Sequence, residues 1–160
     1  MKIAVMGTGA LGGHIGARLA MAEATVTFIA RGAHLAAMRA TGLRVSSPLG
    51  DVHLTPVSAT DDPAAVGPVD GVLLGTKLYD FEAAVVAIGP LLRDDTIIVC
   101  LQNGVEAPTI VGRRYGERRV VGSVVMINAE LAGPGLIKHN ALNSVTVGTG
   151  RRPAPNSSAS

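Results

Sequence analysis

A glycine triplet at fixed spacing constrains this chain more than any other feature. Residues 7–12 read Gly-Thr-Gly-Ala-Leu-Gly and follow directly on the apolar run Ile3-Ala4-Val5-Met6. Ala10 to Met21 then carries apolar residues at helical spacing. A short buried strand therefore feeds a helix through a turn of glycines. Gly7 can take the tight turn, Gly9 removes the side chain that would block a close ligand, and Gly12 lets helix and strand pack closely. The amides that open such a helix are free, and the helix dipole favours negative charge beside them. Outside this context the glycines would be an ordinary turn. Between strand and helix, the spacing predicts a cradle for a dinucleotide pyrophosphate built from Gly7, Thr8, Gly9, Ala10, Leu11 and Gly12.

Beyond the loop, strand and helix patterns alternate. Lys2–Met6 and the β-branched run Thr25–Ile29 read as strands, and His34–Ala40 as a short helix ended by Thr41-Gly42. Leu43–Ser47 and Val52–Val57 flank Pro48-Leu49-Gly50-Asp51, which has turn chemistry, so a hairpin-like insertion is expected. Ser58–Pro68 reads as a loop with a short helix. Asp70–Gly75, Thr96–Leu101 and Val120–Val125 read as strands. Asp80–Leu92 reads as a helix with Phe81, Ala84, Val85 and Ile88 on one face, and Val105–Tyr115 as another. Gly135–His139 and Val145–Gly148 are two further extended pieces. The Pro- and Ser-rich residues 151–160 can bury nothing and are expected to be a disordered tail. Such alternation predicts an α/β fold: a Rossmann-type, doubly wound, mainly parallel sheet with right-handed crossovers.

Composition agrees with a single cored domain. Of the 160 residues, 48% are hydrophobic and 16% charged, which excludes a disordered chain. Aromatics are only 2% and Trp is absent, so the core must be built from Val, Leu, Ile and Ala, as in buried parallel strands. A net charge of +2, with no basic run interleaved with aromatics, gives no nucleic-acid signal. The one cysteine, Cys100, ends an apolar run and reads as a small buried thiol. His14, His34, His53 and His139 show no paired ligand spacing, so no metal site is expected. No apolar stretch approaches the ~20 residues that cross a bilayer. The first residues lack the apolar run of a signal peptide, and a cytoplasmic location is expected.

In a doubly wound sheet, ligands bind at the carboxyl ends of the strands. After Thr25–Ile29, an NAD-binding domain places a carboxylate to hold the ribose hydroxyls; this chain has Ala30-Arg31-Gly32. A guanidinium there can pair with a 2′-phosphate through charge-assisted hydrogen bonds, which argues for NADP over NAD. After Asp70–Gly75 comes Thr76-Lys77-Leu78-Tyr79-Asp80. Lys77 reads equally as an exposed lysine or as a donor to phosphate, ribose or substrate oxygen. After Thr96–Leu101 comes Gln102-Asn103-Gly104-Val105-Glu106. Asn103-Gly104 is turn chemistry first, and its side-chain amide can also donate to a ketone oxygen or hold the nicotinamide ribose.

Five motifs in this order resemble the N-terminal domain of the ketopantoate reductase (2-dehydropantoate 2-reductase) family. They are Gly7–Gly12, Ala30–Leu35, Thr76–Asp80, Gln102–Glu106, and Asn128-Ala129-Glu130 with Pro134–His139. The resemblance spans residues 1–150 and implies an NADP-binding Rossmann domain. It implies NADPH-dependent reduction of 2-dehydropantoate to pantoate in pantothenate biosynthesis. The glycine loop would bind the pyrophosphate and Arg31 the 2′-phosphate. Lys77 and Asn103 match the cofactor-cleft residues, with Asn103 also near the substrate, and Ala129 matches a backbone cofactor contact.

In that family the catalytic lysine comes from a helical C-terminal domain, so none of these 160 residues is assigned a catalytic role. Lys138, in the extended Gly-Leu-Ile-Lys-His segment, reads as a solvated strand residue. The chain by itself is expected to bind NADPH weakly and to turn over negligibly. Its partner is a small 2-keto acid, with no nucleic acid or membrane. Apolar surface near 120–147 would be left exposed and invites self-association. Two alternatives remain open: another NADP-dependent 2-keto or 3-hydroxy acid dehydrogenase, and a non-catalytic dinucleotide-sensing module.

Overall fold

Aliphatic runs of four or five residues become central strands when helices cover both of their faces. The computed structural model describes residues 1–149. β1 (Lys2–Met6) leads into α1 (Ala10–Met21), and β2 (Thr25–Ile29) into α2 (Gly32–Thr41). Next come the antiparallel hairpin of β3 (Leu43–Ser46) and β4 (Val52–Leu54), then the edge strand β5 (Ser58–Thr60). The alternation continues with β6 (Gly71–Leu74), α3 (Leu78–Ala87), β7 (Ile97–Cys100) and α4 (Glu106–Tyr115). β8 (Val120–Gly133) and β9 (Leu136–Gly148) form a long antiparallel hairpin.

These strands make one sheet in the order β4-β3-β9-β8-β7-β6-β1-β2-β5. Among the described residues only β3–β4 and β8–β9 are antiparallel; the remaining pairs are parallel. The fold is therefore the expected doubly wound α/β sheet. Strand alternation divides the core in two. Ala4, Val72, Leu74, Ile98 and Cys100 face Phe81, Val85 and Val111 of α3 and α4. Ile3, Val5, Leu73 and Leu101 face the other way, toward Ala17, Phe28 and Met38. Cys100 is fully buried, and burial pushes its thiol pKa up to about 11, so it is an inert packing residue.

Helix α1 packs on β1 and β2 and also on β3, β8 and β9, so the sheet curls around it. Two contacts hold the far side of that curl. A Cβ on Gly13 would collide with the Ile137 side chain of β9. At the next residue, the buried His14 ring packs against buried His139 with centroids 4.4 Å apart. His139 Nε2–H donates to the Leu142 carbonyl at 2.7 Å, and its Nδ1 accepts from the Ser47 hydroxyl at 2.8 Å. His14 Nε2–H donates to Asn143 Oδ1 at 3.1 Å.

Several boundaries differ from expectation for identifiable reasons. The helix expected over Asp80–Leu92 starts at Leu78 and ends at Ala87, and Gly89–Leu91 forms a 3-10 turn. Pro90 has no N–H to continue an α-helix. The helix expected over His34–Ala40 runs Gly32–Thr41. The extended segment expected to reach Val57 stops at Leu54, before Pro56, which cannot donate to a ladder. Ser58–Thr60, expected as loop, is an edge strand parallel to β2. Its Ser-Ala-Thr sequence carries no apolar pattern, and its pairing comes from the backbone of Thr27–Ile29.

The largest difference lies in the hairpin. Val120–Val125 extends to Gly133, and the two pieces after Gly135 are one strand, Leu136–Gly148. The polar stretch Asn140–Ser144 breaks the alternation, but the ladder to β8 runs through it with bulges near Asn128 and Leu131. Val124, Met126, Val145 and Val147 stand exposed on this hairpin. No helix among the described residues is long and apolar enough to cross a membrane. The tail expected over 151–160 lies outside the described residues.

Candidate functional site

Parallel register brings the carboxyl ends of the strands into line. Met6 pairs with Ile29 on one side and Leu74 on the other, and Leu74 pairs with Cys100. Arg31, the glycine loop, Thr76-Lys77 and Gln102-Asn103 therefore leave the same edge of the sheet. The chain steps from β1 outward to β2, then crosses back to β6 on the other flank. The glycine loop thus sits at the topological switch point, where doubly wound sheets open a crevice.

Each glycine of the loop has a distinct physical reason. Gly7 has φ of 92°, and a Cβ there would lie 2.7 Å from the Thr76 amide nitrogen. On Gly12, a Cβ would collide with the Gly7 carbonyl. On Gly9 it would meet nothing within 4 Å among the described residues. The first and third glycines are demanded by the protein's own packing, whereas the second borders open space where a ligand can approach. Gly9 caps α1 without a side-chain hydrogen bond, and no acidic residue occupies the first turn. The amides of Ala10, Leu11 and Gly12 therefore open the helix without a carboxylate competing for them.

Thr8 takes a supporting position. Its amide and hydroxyl both donate to the Ile29 carbonyl, at 3.1 and 3.0 Å, and its side chain is buried. It ties the loop to β2 and does not face the crevice. Gly75 is a glycine that motif reading overlooked: a Cβ there would lie 2.9 Å from the Gly7 carbonyl. Only its place at the end of a predicted strand could have signalled that.

Arg31 caps α2 in extended backbone, and its side chain is 79% exposed. Its Nη2 donates to Asp80 Oδ2 at 2.7 Å. An exposed pair of this kind contributes about 0–1 kcal/mol, so a more highly charged ligand can displace it. Lys77 caps α3 and is exposed, beside exposed Leu78 and Tyr79. Gln102 Nε2 donates to the Thr76 carbonyl at 2.8 Å, while Gln102 Oε1 and Thr76 Oγ1 are buried without partners among the described residues. Two orphaned polar atoms beside the glycine loop are what a polar ligand or its water would satisfy.

Asn103 does more than make a turn. Its Oδ1 accepts from the Val125 amide at 2.9 Å, and its Nδ2 reaches the Val125 carbonyl at 3.5 Å. The side chain is a strut between β7 and β8, leaving one amide N–H uncommitted. Ala129 lies within β8, opposite His139, and packs against the core. It is set on the hairpin and not at a strand end. His34, within the Ala30–Leu35 motif, accepts from the Gly135 amide at 2.9 Å and so links α2 to the β8–β9 turn. Burial holds its pKa below the usual 6.5, partly offset by the Thr8 backbone.

The chain matches a family model described as Ketopantoate reductase PanE/ApbA over residues 3–152. The 2-dehydropantoate 2-reductase of Mesorhizobium japonicum is 37% identical, over 87% of this chain and 49% of that protein. The crystal structure of 2-dehydropantoate 2-reductase from Porphyromonas gingivalis W83 superposes with a TM-score of 0.82 at 40% identity, over 92% of this chain and 53% of that one. D-mandelate dehydrogenase, solved with NADH and anilino(oxo)acetate, superposes with a TM-score of 0.79 at 27% identity, over 92% of this chain and 47% of that one. The chain thus spans about half the length of the relatives it matches. The motifs, the switch-point crevice and the match across almost all of the described fold agree, and the chain belongs to the ketopantoate reductase PanE/ApbA family.

Proposed function

We propose that these residues form the NADP-binding part of a 2-dehydropantoate 2-reductase, which reduces 2-dehydropantoate to pantoate in cytoplasmic pantothenate biosynthesis. The observation that carries the reading is Arg31. It stands exposed at the end of β2, where this architecture holds the adenosine ribose, and it offers a guanidinium in place of a carboxylate. Bound reduced nicotinamide would supply the hydride for the keto carbon. The chain's own residues bind and orient. Gly7, Gly9 and Gly12, with the Ala10 and Leu11 amides, cradle the pyrophosphate, and Thr8 locks that loop onto β2. Arg31 pairs with the 2′-phosphate, and Lys77 adds a second positive charge at the adjoining strand end. Asn103 turns its uncommitted N–H toward the nicotinamide ribose or the keto acid. Ala129 offers backbone from the β8–β9 hairpin. Hydride transfer needs both reactants held in one geometry, so the 160 residues alone bind nucleotide without sustained turnover.

Titration of the protein with NADPH and NADH, followed by nicotinamide fluorescence, tests the assignment. NADPH should bind at least about tenfold more tightly, and Arg31→Ala should erase the difference. Equal affinities in the unaltered protein would overturn it. The likeness to D-mandelate dehydrogenase with NADH favours one second reading, a related reductase of another 2-keto acid. Tighter binding of NADH than NADPH would select it.

A further inference from the structure

The Arg31–Asp80 pair joins two loops that the dinucleotide reading uses separately. Arg31 follows β2, Asp80 lies in the first turn of α3 after β6, and β1 with its glycine loop runs between those two strands. Neighbouring strands are about 4.8 Å apart, so the pair spans about two strand spacings across the crevice mouth. It does so with one edge of the guanidinium: Nη2 meets Asp80 Oδ2 at 2.7 Å. The partners differ in exposure. The Arg31 side chain is 79% exposed and that of Asp80 33%, so the carboxylate is the better anchored and the guanidinium is free to swing.

We propose that Asp80 is a specificity-determining residue: it competes with the 2′-phosphate of the nucleotide for Arg31 and so limits the preference for NADPH over NADH. A phosphate carrying two charges displaces a carboxylate carrying one, but the exchange must break the existing pair and bring two anions to one edge of the crevice. A nucleotide with a free 2′-hydroxyl has no charge with which to drive that exchange. Asp80 therefore lowers affinity for NADPH and leaves affinity for NADH nearly untouched. The inference rests on the reading of Arg31 as the 2′-phosphate ligand.

The test is Asp80→Asn, which keeps the size of the side chain and removes its charge. Circular dichroism should match the unaltered protein and thermal unfolding should shift only slightly, since the change removes one weak ion pair and one charge from the first turn of a helix. Fluorescence titration should then show NADPH binding about three- to tenfold tighter and NADH within about twofold of the unaltered protein. In an Arg31→Ala background most of that gain should vanish. Unchanged or weaker NADPH binding in Asp80→Asn would overturn the proposal, as would an undiminished gain without Arg31. If Arg31→Ala itself leaves NADPH affinity intact, the cofactor assignment fails instead, so the two failures are told apart.

Discussion

Three glycines in six residues carry one sequence signature but two kinds of constraint. Gly12 is fixed by its own protein, because a Cβ would run into the Gly7 carbonyl, and backbone cannot move aside as a flexible side chain can. Gly9 is fixed by nothing within 4 Å among the described residues, and its φ of −82° and ψ of −162° suit any residue. Alanine substitutions should therefore separate. Gly12→Ala should lose about 1–3 kcal/mol of stability, read as a lower urea midpoint. Gly9→Ala should unfold at the same midpoint as the parent yet bind NADPH at least about tenfold more weakly, because its methyl enters the space left for the pyrophosphate. A stability loss in Gly9→Ala equal to that in Gly12→Ala would show that the open space is not a ligand's. At this scale, the motifs carry the identities and not the contacts. Thr8, named with the loop, turns inward to the Ile29 carbonyl, and Asn103 braces Val125.

Between elements, the contact that titrates is the one from α1 to β9. Burial pushes the His14 pKa below its usual 6.5, the bond to Asn143 opposes that, and the charges of His139 and Arg18 push it further down. Its Nδ1 has no partner among the described residues, so a second proton on the ring would be unsupported. Burial lowers His34 in the same sense. With folded values below 6.5, the unfolded chain takes up protons first as the solution acidifies. The stabilising contribution is complete above pH 6.5 and is lost as pH falls below it toward the folded-state values. Urea midpoints should accordingly hold steady from pH 8 to about 7 and decline toward pH 5.5. His14→Gln, whose amide can keep the donor to Asn143, should flatten part of that decline. A midpoint that rises on acidification would contradict the burial argument. The sequence showed only histidines without paired ligand spacing; the His14–His139 stack and the bond from Gly135 to His34 join elements more than a hundred residues apart.

Across the whole molecule, the sheet reads as two halves held by one helix. β1, β2, β6 and β7 form the parallel half that presents the candidate site, whereas β3, β4, β8 and β9 curl back over α1. Ile137, fully buried in β9, meets Gly13 of α1 and joins the core cluster that includes Val5, Phe28 and Leu43. Ile137→Ala should cost about 2–5 kcal/mol, read by denaturant unfolding as a single transition monitored by two probes. A loss under about 1 kcal/mol would mean that the curl is not part of the cooperative core. The parallel half was legible from the chain alone. Its strands are aliphatic runs covered on both faces, its helices repeat at their own period, and its strand ends carry the motifs. The other half was not. Ser58–Thr60 and Asn140–Ser144 have no apolar alternation, because an edge strand and an exposed hairpin draw their order from a partner's backbone. Local pattern and glycine spacing thus determined the fold class, the order of the parallel strands and their helices, and the edge of the sheet that carries the candidate site. Tertiary structure alone decided that Arg31 meets Asp80 across the crevice and that His14 stacks on His139. Such pairs depend on where distant segments come together in space, which no local period encodes.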